Sequence, residues 1–317
     1  MIAVTGATGE LGRRVASRLA NLGIEQRLMV RDPGRAPELP KADIYKVSSY
    51  ADPVAAGRAF SGVETLCMIP AEDLMGVMAK SAAKNVPLQF YDRVHQHISL
   101  IAAACAVGVK NIVYISFVGA EKDATFLLGR DHYYTEEYIR SIGISFTFLR
   151  MNLYMDKAAL HVSRDLVIRG PAGEGRVAWV TRDDIADVAV AVLTGTGHNG
   201  KTYDISGPEA LTLREAADIL TSVTGRKITY QPQTPHEART YKNSSRLDKW
   251  VEERRKLTGK DINEYELEVW ISHYLQIATG EASVVSDTVP RLAGHKAMSL
   301  SEYLQAHPES YEHLLNY

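Results

Sequence analysis

The residues best placed to do chemistry come almost at once. In "VTGATGELG", Val4 to Gly12, glycines stand at 6, 9 and 12 between an apolar run and a helical pattern. A glycine at the first position permits a tight strand-to-helix turn. One at the second lets backbone approach a pyrophosphate, and one at the third lets helix pack closely on strand. Backbone N–H groups and the positive end of the helix dipole then face an anion. The spacing is G-x-x-G-x-x-G rather than G-x-G-x-x-G, and a plain structural turn is the bland alternative. Further on, "VRDPGR" puts Arg31 at the end of a second apolar run, with Asp32 beside it and Arg35 close by. An acid near this point holds ribose hydroxyls, whereas an arginine accepts a 2′-phosphate in a bidentate grip. Arg31 therefore points to NADP(H), against the alternative of a surface Arg–Asp pair.

The elements that must position these groups alternate from the start. Short strands are expected at "IAVTG", "QRLMVR", "DIYKVS", "TLCMIP", "NIVYIS" and "SFTFLR", with amphipathic helices between them. The first helix carries Leu11, Val15, Leu19 and Leu22 on one face, and Gly23 follows as its stop. Thr181 with Asp184, and Thr212 with Glu215, mark two later helix starts. The pattern predicts an α/β fold: a Rossmann-type doubly wound parallel sheet with a smaller, largely helical C-terminal lobe. Residues 1–157 with 176–205 are assigned to the dinucleotide-binding domain, and 158–175 with 206–317 to the lobe. The charged, aromatic stretch with Trp250, Trp270 and Tyr274 belongs to that lobe, its charge run read as a solvated helix face.

Composition narrows the function classes. Across 317 residues, 45% are hydrophobic and 23% charged, and the formal net charge is −2. No basic field draws the chain to nucleic acid or to a membrane. The apolar run "IAAACAVGV" is too short to span a bilayer, and the N-terminal strand already feeds the glycine turn, so a cytoplasmic location is expected. Cys67 and Cys105 read as buried core thiols. His95 and His97 lack partners at metal-ligand spacing, and Ser116 has no G-x-S-x-G context, so no metal and no serine hydrolase is expected.

The ordered set "VTGATGELG", "MVRDP", "YADP", "AVGVKNIVYIS", "YYTEEYIRSIGISFTFLRMNLYMDKA" and "VAWVTRDDIADVAVAVLTGTGHNGKTYDISGPEALTLREAADILTSVTGRKITYQ" resembles the NmrA-like atypical short-chain dehydrogenases. Type 2 NAD(P)H:quinone oxidoreductases and triphenylmethane reductases are similar in pattern. The resemblance runs to about residue 231, and the tail beyond it matches less well. It implies cofactor contacts from Gly6, Thr8, Gly9, Glu10, Leu11, Gly12 and Arg31. It also implies contacts from Tyr50 near the adenine; from Ile69, Pro70 and Ala71; from Ser116, Phe117 and Val118; and from Met151, Asn152, Leu153 and Tyr154. Ser49 stands where relatives often carry an acid.

A typical short-chain dehydrogenase uses a Tyr-x-x-x-Lys pair, in which the lysine lowers the tyrosine pKa for proton exchange. None of the sixteen tyrosines here has lysine four residues later. The equivalent helix reads "DHYYTEEYIRSIG", with Glu137 and Tyr138 in the places a lysine would need. The catalytic candidates are then His132, as proton donor or nicotinamide contact, Tyr133 with Tyr134 beside the substrate, and Asn152 at an exposed strand end. Their bland readings are a packed or capping histidine and core aromatics. The segment Ala71 to His97, with Leu74, Met75 and Met78, is a candidate cap, or equally a stretch of core packing.

The expected activity is an NADPH-dependent reductase passing hydride to a quinone-like or conjugated electrophilic small molecule. Such an acceptor takes hydride without an acid–base pair. The alternative is a non-catalytic NADP(H) sensor that binds a partner protein; a sugar-nucleotide or isoflavone-type enzyme is a weaker third. A small-molecule acceptor is the expected partner, and a homodimer is allowed.

Overall fold

A computed structural model of the chain describes residues 1–47, 49–70, 91–240 and 264–317, with the backbone alone at residues 91 and 92. Ala71, Leu74, Met75, Met78 and Trp250 lie outside the described residues.

Seven parallel strands form the central sheet. They are β1 (Ile2–Thr5), β2 (Gln26–Val30), β3 (Ala42–Lys46), β4 (Thr65–Met68), β5 (Asn111–Phe117), β6 (Ser145–Met151) and β9 (Lys201–Ile205), in spatial order β3-β2-β1-β4-β5-β6-β9. The central strands are covered on both faces, which is why they read as unbroken apolar runs. The first six fall where the sequence places them. β9 was not anticipated as a strand, because "KTYDI" is an edge strand with exposed and half-exposed residues.

Helices α1 (Glu10–Asn21), α2 (Pro53–Ala59), α3 (Tyr91–Ala106), α4 (Leu127–Ser141), α5 (Arg182–Thr194) and α6 (Leu213–Thr224) follow in order. One apolar layer packs α1 and α5 on the sheet through Leu11, Val15, Leu19, Ile185 and Val188. The opposite layer packs α2, α3 and α4 through Ala56, Leu100, Ala104, Ile139, Tyr114 and Phe148. Each fully buried Leu, Val or Phe in these layers contributes about 1.5–3 kcal/mol. Leu22 does not join them: the helix ends at Asn21, and Leu22 is 59% exposed in the turn closed by Gly23 at φ +71°. Thr212 and Glu215 form the expected reciprocal cap, and Thr181 accepts from Asp184 N. Cys67 is fully buried, but Cys105 is only half-buried.

Beyond β6 the chain adds two small sheets, β7 (Val167–Gly170) beside β11 (Thr229–Pro232) and β8 (Arg176–Val177) beside β10 (Leu211–Thr212). Among the described residues this part also holds helices α7 (Pro235–Thr240), α8 (Glu264–Ala278), α9 (Leu300–Ala306) and α10 (Glu312–Leu315). In α8 Glu266, Trp270 and Tyr274 are buried, and the charge run before residue 264 lies outside the described residues. A Cβ at Gly170 would lie 2.4 Å from the Tyr274 ring, so glycine is what admits this helix. Among the described residues no helix is long and apolar enough to cross a membrane.

Candidate active site

The strand order reverses between β1 and β4, and a doubly wound sheet binds its ligand in the crevice at the carboxyl ends of those strands. Gly6 takes φ +65°, and Gly9 N donates to Gly6 O at 2.9 Å, which closes the turn into α1. A Cβ on Gly12 would fall 2.2 Å from Gly6 O, so the third glycine is required for helix-on-turn contact. No side chain caps α1 at Gly9, which leaves the amide N–H groups of the first turn for an anion. Leu11 is buried as the first core anchor of the helix, Thr8 is half-buried, and Glu10 is exposed and bound by Arg14 at 2.7 Å. The cradle thus fits a dinucleotide pyrophosphate.

Thr5 joins the two strands at the crevice. Its Oγ1 donates to Ile69 O and accepts from Ile69 N, both at 2.8 Å. Ile69 packs against the place a Gly6 Cβ would occupy, and Pro70 is buried beside it. The Tyr50 hydroxyl reaches back to the Gly6 backbone and the Thr5 side chain. Burial pushes its phenol up to about 12, opposed by those hydrogen bonds and by the Arg31 charge.

Arg31 and Arg35 are exposed on the loop after β2, which Asp32 shapes by accepting from Gly34 N. Arg13, unnoticed in the sequence, reaches the same loop and donates to Arg35 O at 3.3 Å. It directly follows the third glycine, and that position was the available signal. Arg13, Arg31 and Arg35 therefore gather at the loop after β2.

The ends of β5 and β6 differ from expectation. Ser116 turns into the core and donates to Glu136 Oε1 at 2.6 Å, so its hydroxyl does not face the crevice. Glu136 is fully buried and also binds Arg150 at 2.9 and 2.7 Å and Arg140 at 2.9 Å. Phe117 and Val118 end the strand as buried residues, with Val118 N on Met151 O. Asn152 is not exposed: its amide nitrogen donates to Ala282 O at 2.8 Å, and its carbonyl accepts from Leu153 N at 2.7 Å. Met151 and Leu153 are buried, and the Tyr154 hydroxyl meets the Met151 sulfur at 2.9 Å. The Arg182 guanidinium lies 3.9 Å over the Tyr154 ring while pairing with Asp156.

His132 lies in the layer between α3, α4 and β5. Its Nδ1 is 2.9 Å from the Tyr114 hydroxyl, and its Nε2 is 3.4 Å from the Arg93 guanidinium. Arg93 can only donate, so Nε2 is the acceptor and the one proton of a neutral ring sits on Nδ1, toward Tyr114. Burial holds His132 well below the usual histidine value, helped by the Arg93, His97 and Arg150 charges. Arg93 also pairs with Asp131 at 3.3 Å. Burial raises Asp131 to about 6 in spite of that cation, and its Oδ1 has no hydrogen-bond partner. His97 is buried on Thr135 Oγ1 at 2.9 Å, while His95 is exposed. Among the described residues no cluster suits a metal ion. Tyr133 is half-buried, edge-on to the exposed Tyr134 at 5.3 Å between ring centres. The sequence reading missed Arg93, Asp131 and Glu136. Arg93 and Asp131 are ordinary charged residues on two helices, and nothing local marks them as a pair.

Comparison with known proteins agrees with this geometry. Residues 6–196 match the NAD(P)H-binding family. The chain is 35% identical over 244 residues to the (4-alkanoyl-5-oxo-2,5-dihydrofuran-3-yl)methyl phosphate reductase of Streptomyces griseus, covering 76% of this chain and 79% of that protein. It superposes on the Escherichia coli NADPH-dependent quinone oxidoreductase in complex with NADPH with a TM-score of 0.79 and 27% identity, covering 96% and 99% of the two chains. The Citrobacter triphenylmethane reductase complexed with NADP(H) gives 0.76 and 29%, over 99% and 100%. A glycine cradle at the switch point, a family match across the sheet and relatives of nearly equal length agree: this chain belongs to the NAD(P)H-binding family and is an NAD(P)H-dependent reductase of the NmrA-like, atypical short-chain dehydrogenase type.

Proposed function

We propose that the chain prefers NADPH and reduces a quinone-like or otherwise conjugated, electrophilic small molecule. The observation that carries this reading is the engagement of the side chains at the ends of β5 and β6. Ser116 is committed to Glu136, the one His132 proton to Tyr114, and the Asn152 amide to Ala282 and Leu153. A ketone-to-alcohol reduction needs an acid poised at the carbonyl oxygen. A conjugated acceptor spreads the incoming electron pair over its own π-system and takes its protons from water. Bound NADPH would supply the hydride. Named relatives act in keeping with this: the E. coli neighbour is a quinone oxidoreductase and the Citrobacter neighbour a triphenylmethane reductase. Arg13, Arg31 and Arg35 support the preference for a 2′-phosphate.

The test is loss of reduced-dinucleotide absorbance with a panel of quinones, azo dyes and triphenylmethane dyes, each run with NADPH and with NADH. Turnover with at least one acceptor, faster with NADPH, supports the proposal. Tight NADPH binding with no turnover on any acceptor overturns it and favours a dinucleotide sensor.

A further inference from the structure

Residues 282–298 form a strap that runs from the end of β6 to α5. At its start Ala282 O accepts from Ala178 N at 2.9 Å and from Asn152 Nδ2 at 2.8 Å. Ser286 then pins the strap to the end of β9. Its N–H donates to Ser206 Oγ at 2.8 Å and its hydroxyl donates to Asp204 O at 2.7 Å. Past this pin a single wide helical turn, Val289–Ala293, packs on α5. The chain bends at Gly294, φ +77°, and His295 comes to lie against Asp184 and Asp187 in the first two turns of α5.

We propose that residues 287–298 are a pH-sensitive latch, held on α5 by the imidazolium of His295 and loosened when the ring loses its proton. The latch stands apart from the reductase reading and does not depend on it. Its geometry asks for two ring protons. Nδ1 donates to the Lys296 carbonyl at 3.1 Å, and Nε2 stands 3.3 Å from Asp187 Oδ2. A carbonyl and a carboxylate only accept, so a neutral ring, with one proton, would set a lone pair against an acceptor. The ring is also 3.8 Å from Asp184 Oδ1 and 43% exposed, so its charge follows the medium.

The neighbouring charges make His295 the group that changes. Asp184 is buried, and its Oδ2 accepts from Met298 N at 3.3 Å, the far end of the latch. Burial raises this carboxyl, opposed by Thr181, the Met298 N–H and the His295 charge. Asp187 and Asp183 are held from α1 by Arg18, and Asp183 also by Arg14. Lys296 pairs with Glu302 on α9, and Arg291 with Asp287. These lysine and arginine partners keep their charge throughout the neutral range. On its other side the segment borders an open cavity of about 400 Å³, lined by Pro208, Val285, Pro290, His295 and Ala297. Little packing there replaces the ion pair once it is gone.

The Lys296 carbonyl, followed by the Asp184 and Asp187 charges, raises His295 above its ordinary 6.5, and partial burial opposes them. A raised histidine stabilises fully below the ordinary value, and that contribution is lost as pH rises through the raised one. The latch is therefore shut in mildly acidic medium and loosens on the alkaline side of neutrality.

Hydrogen exchange of the whole chain, corrected for the intrinsic rate, tests it. Between about pH 6 and about pH 9 the protection of amides 289–298 should fall about two- to fivefold, the scale of a partly exposed ion pair. The amides of Ala178 and Ser286, on the pinned side, should not change. His295→Gln should show the lower protection at both pH values. In a second measurement the His295 ring resonance, assigned by its loss in His295→Gln, should titrate above 6.5, and lower in Asp187→Asn. Flat protection in wild type, a pH response that survives His295→Gln, or an equal response at Ala178 overturns the latch. So does a ring that titrates at or below 6.5.

Discussion

The Ser116 hydroxyl donates to Glu136 Oε1 at 2.6 Å, inside the layer between the sheet and α4. Glu136 stands four residues after His132 on that helix and holds Arg150 from β6 and Arg140 from its own helix. Where a typical short-chain dehydrogenase carries its tyrosine and lysine, this chain has a buried ion cluster that ties α4 to the sheet. Glu136→Gln should therefore act on stability, since it leaves Arg150 buried without its counter-charge. The expected cost is about 3–5 kcal/mol, read from denaturant midpoints.

Ser116→Ala separates the two roles of that position. Losing the hydrogen bond to a buried carboxylate should cost about 1–3 kcal/mol. The kcat with menadione should stay within about fivefold, because the hydroxyl does not face the crevice. A collapse of kcat in a folded variant would place Ser116 back in the chemistry.

Gly12→Ala puts a methyl group 2.2 Å from Gly6 O, and backbone cannot yield as a flexible side chain does. The expected outcome is a loss of about 1–3 kcal/mol or more, with NADPH affinity lowered at least tenfold in fluorescence titration. Retained affinity would mean that the phosphates bind elsewhere.

Arg31→Ala and Arg13→Ala should each weaken NADPH binding by about 10- to 100-fold, the worth of a charge-assisted hydrogen bond of about 1.5–3 kcal/mol. NADH lacks the 2′-phosphate, so its affinity should hardly move. Calorimetry with both nucleotides decides, and equal losses would remove these arginines from the 2′-phosphate site.

Asp131 gives a pH signature. Its carboxyl is raised from an ordinary 3.8 to about 6, so the fold favours the neutral acid. The stability from that preference is fully present below the ordinary value and is lost as pH rises through about 6. The displacement corresponds to about 3 kcal/mol. Asp131→Asn, which does not ionise, should gain on wild type by roughly that amount between about pH 4 and pH 7. Unfolding midpoints at the two ends measure it, and a constant difference would refute the raised acid.

The fold was legible because its signals are local. Strands buried on both faces leave continuous apolar runs, as in "TLCM" and "NIVYISF", and the glycine turn needs only nine consecutive residues. β9 escaped because "KTYDI" is a partly exposed edge strand, whose pattern resembles a loop. Much of the site was not legible, because its contacts are remote. The amide of Asn152 is claimed by Ala282, 130 positions away, and Arg93 meets Asp131 across 38. Helical periodicity can place Arg93 and Asp131 on their helix faces, but it cannot say which group on another element waits there. The missing lysine was visible in sequence; that Glu136 answers Arg150 was not.

The double hydrogen bond between Thr5 and Ile69 fixes how far β1 and β4 part at the crevice. Its consequence is kinetic. A mouth already set in the folded chain needs no opening step before the pyrophosphate enters, so association should be a single exponential whose rate rises linearly with nucleotide concentration. Any slow phase that levels off would then report on motion elsewhere in the protein. Thr5→Val, which keeps the shape but cuts both bonds, should be the change that introduces a gating step at this strand pair.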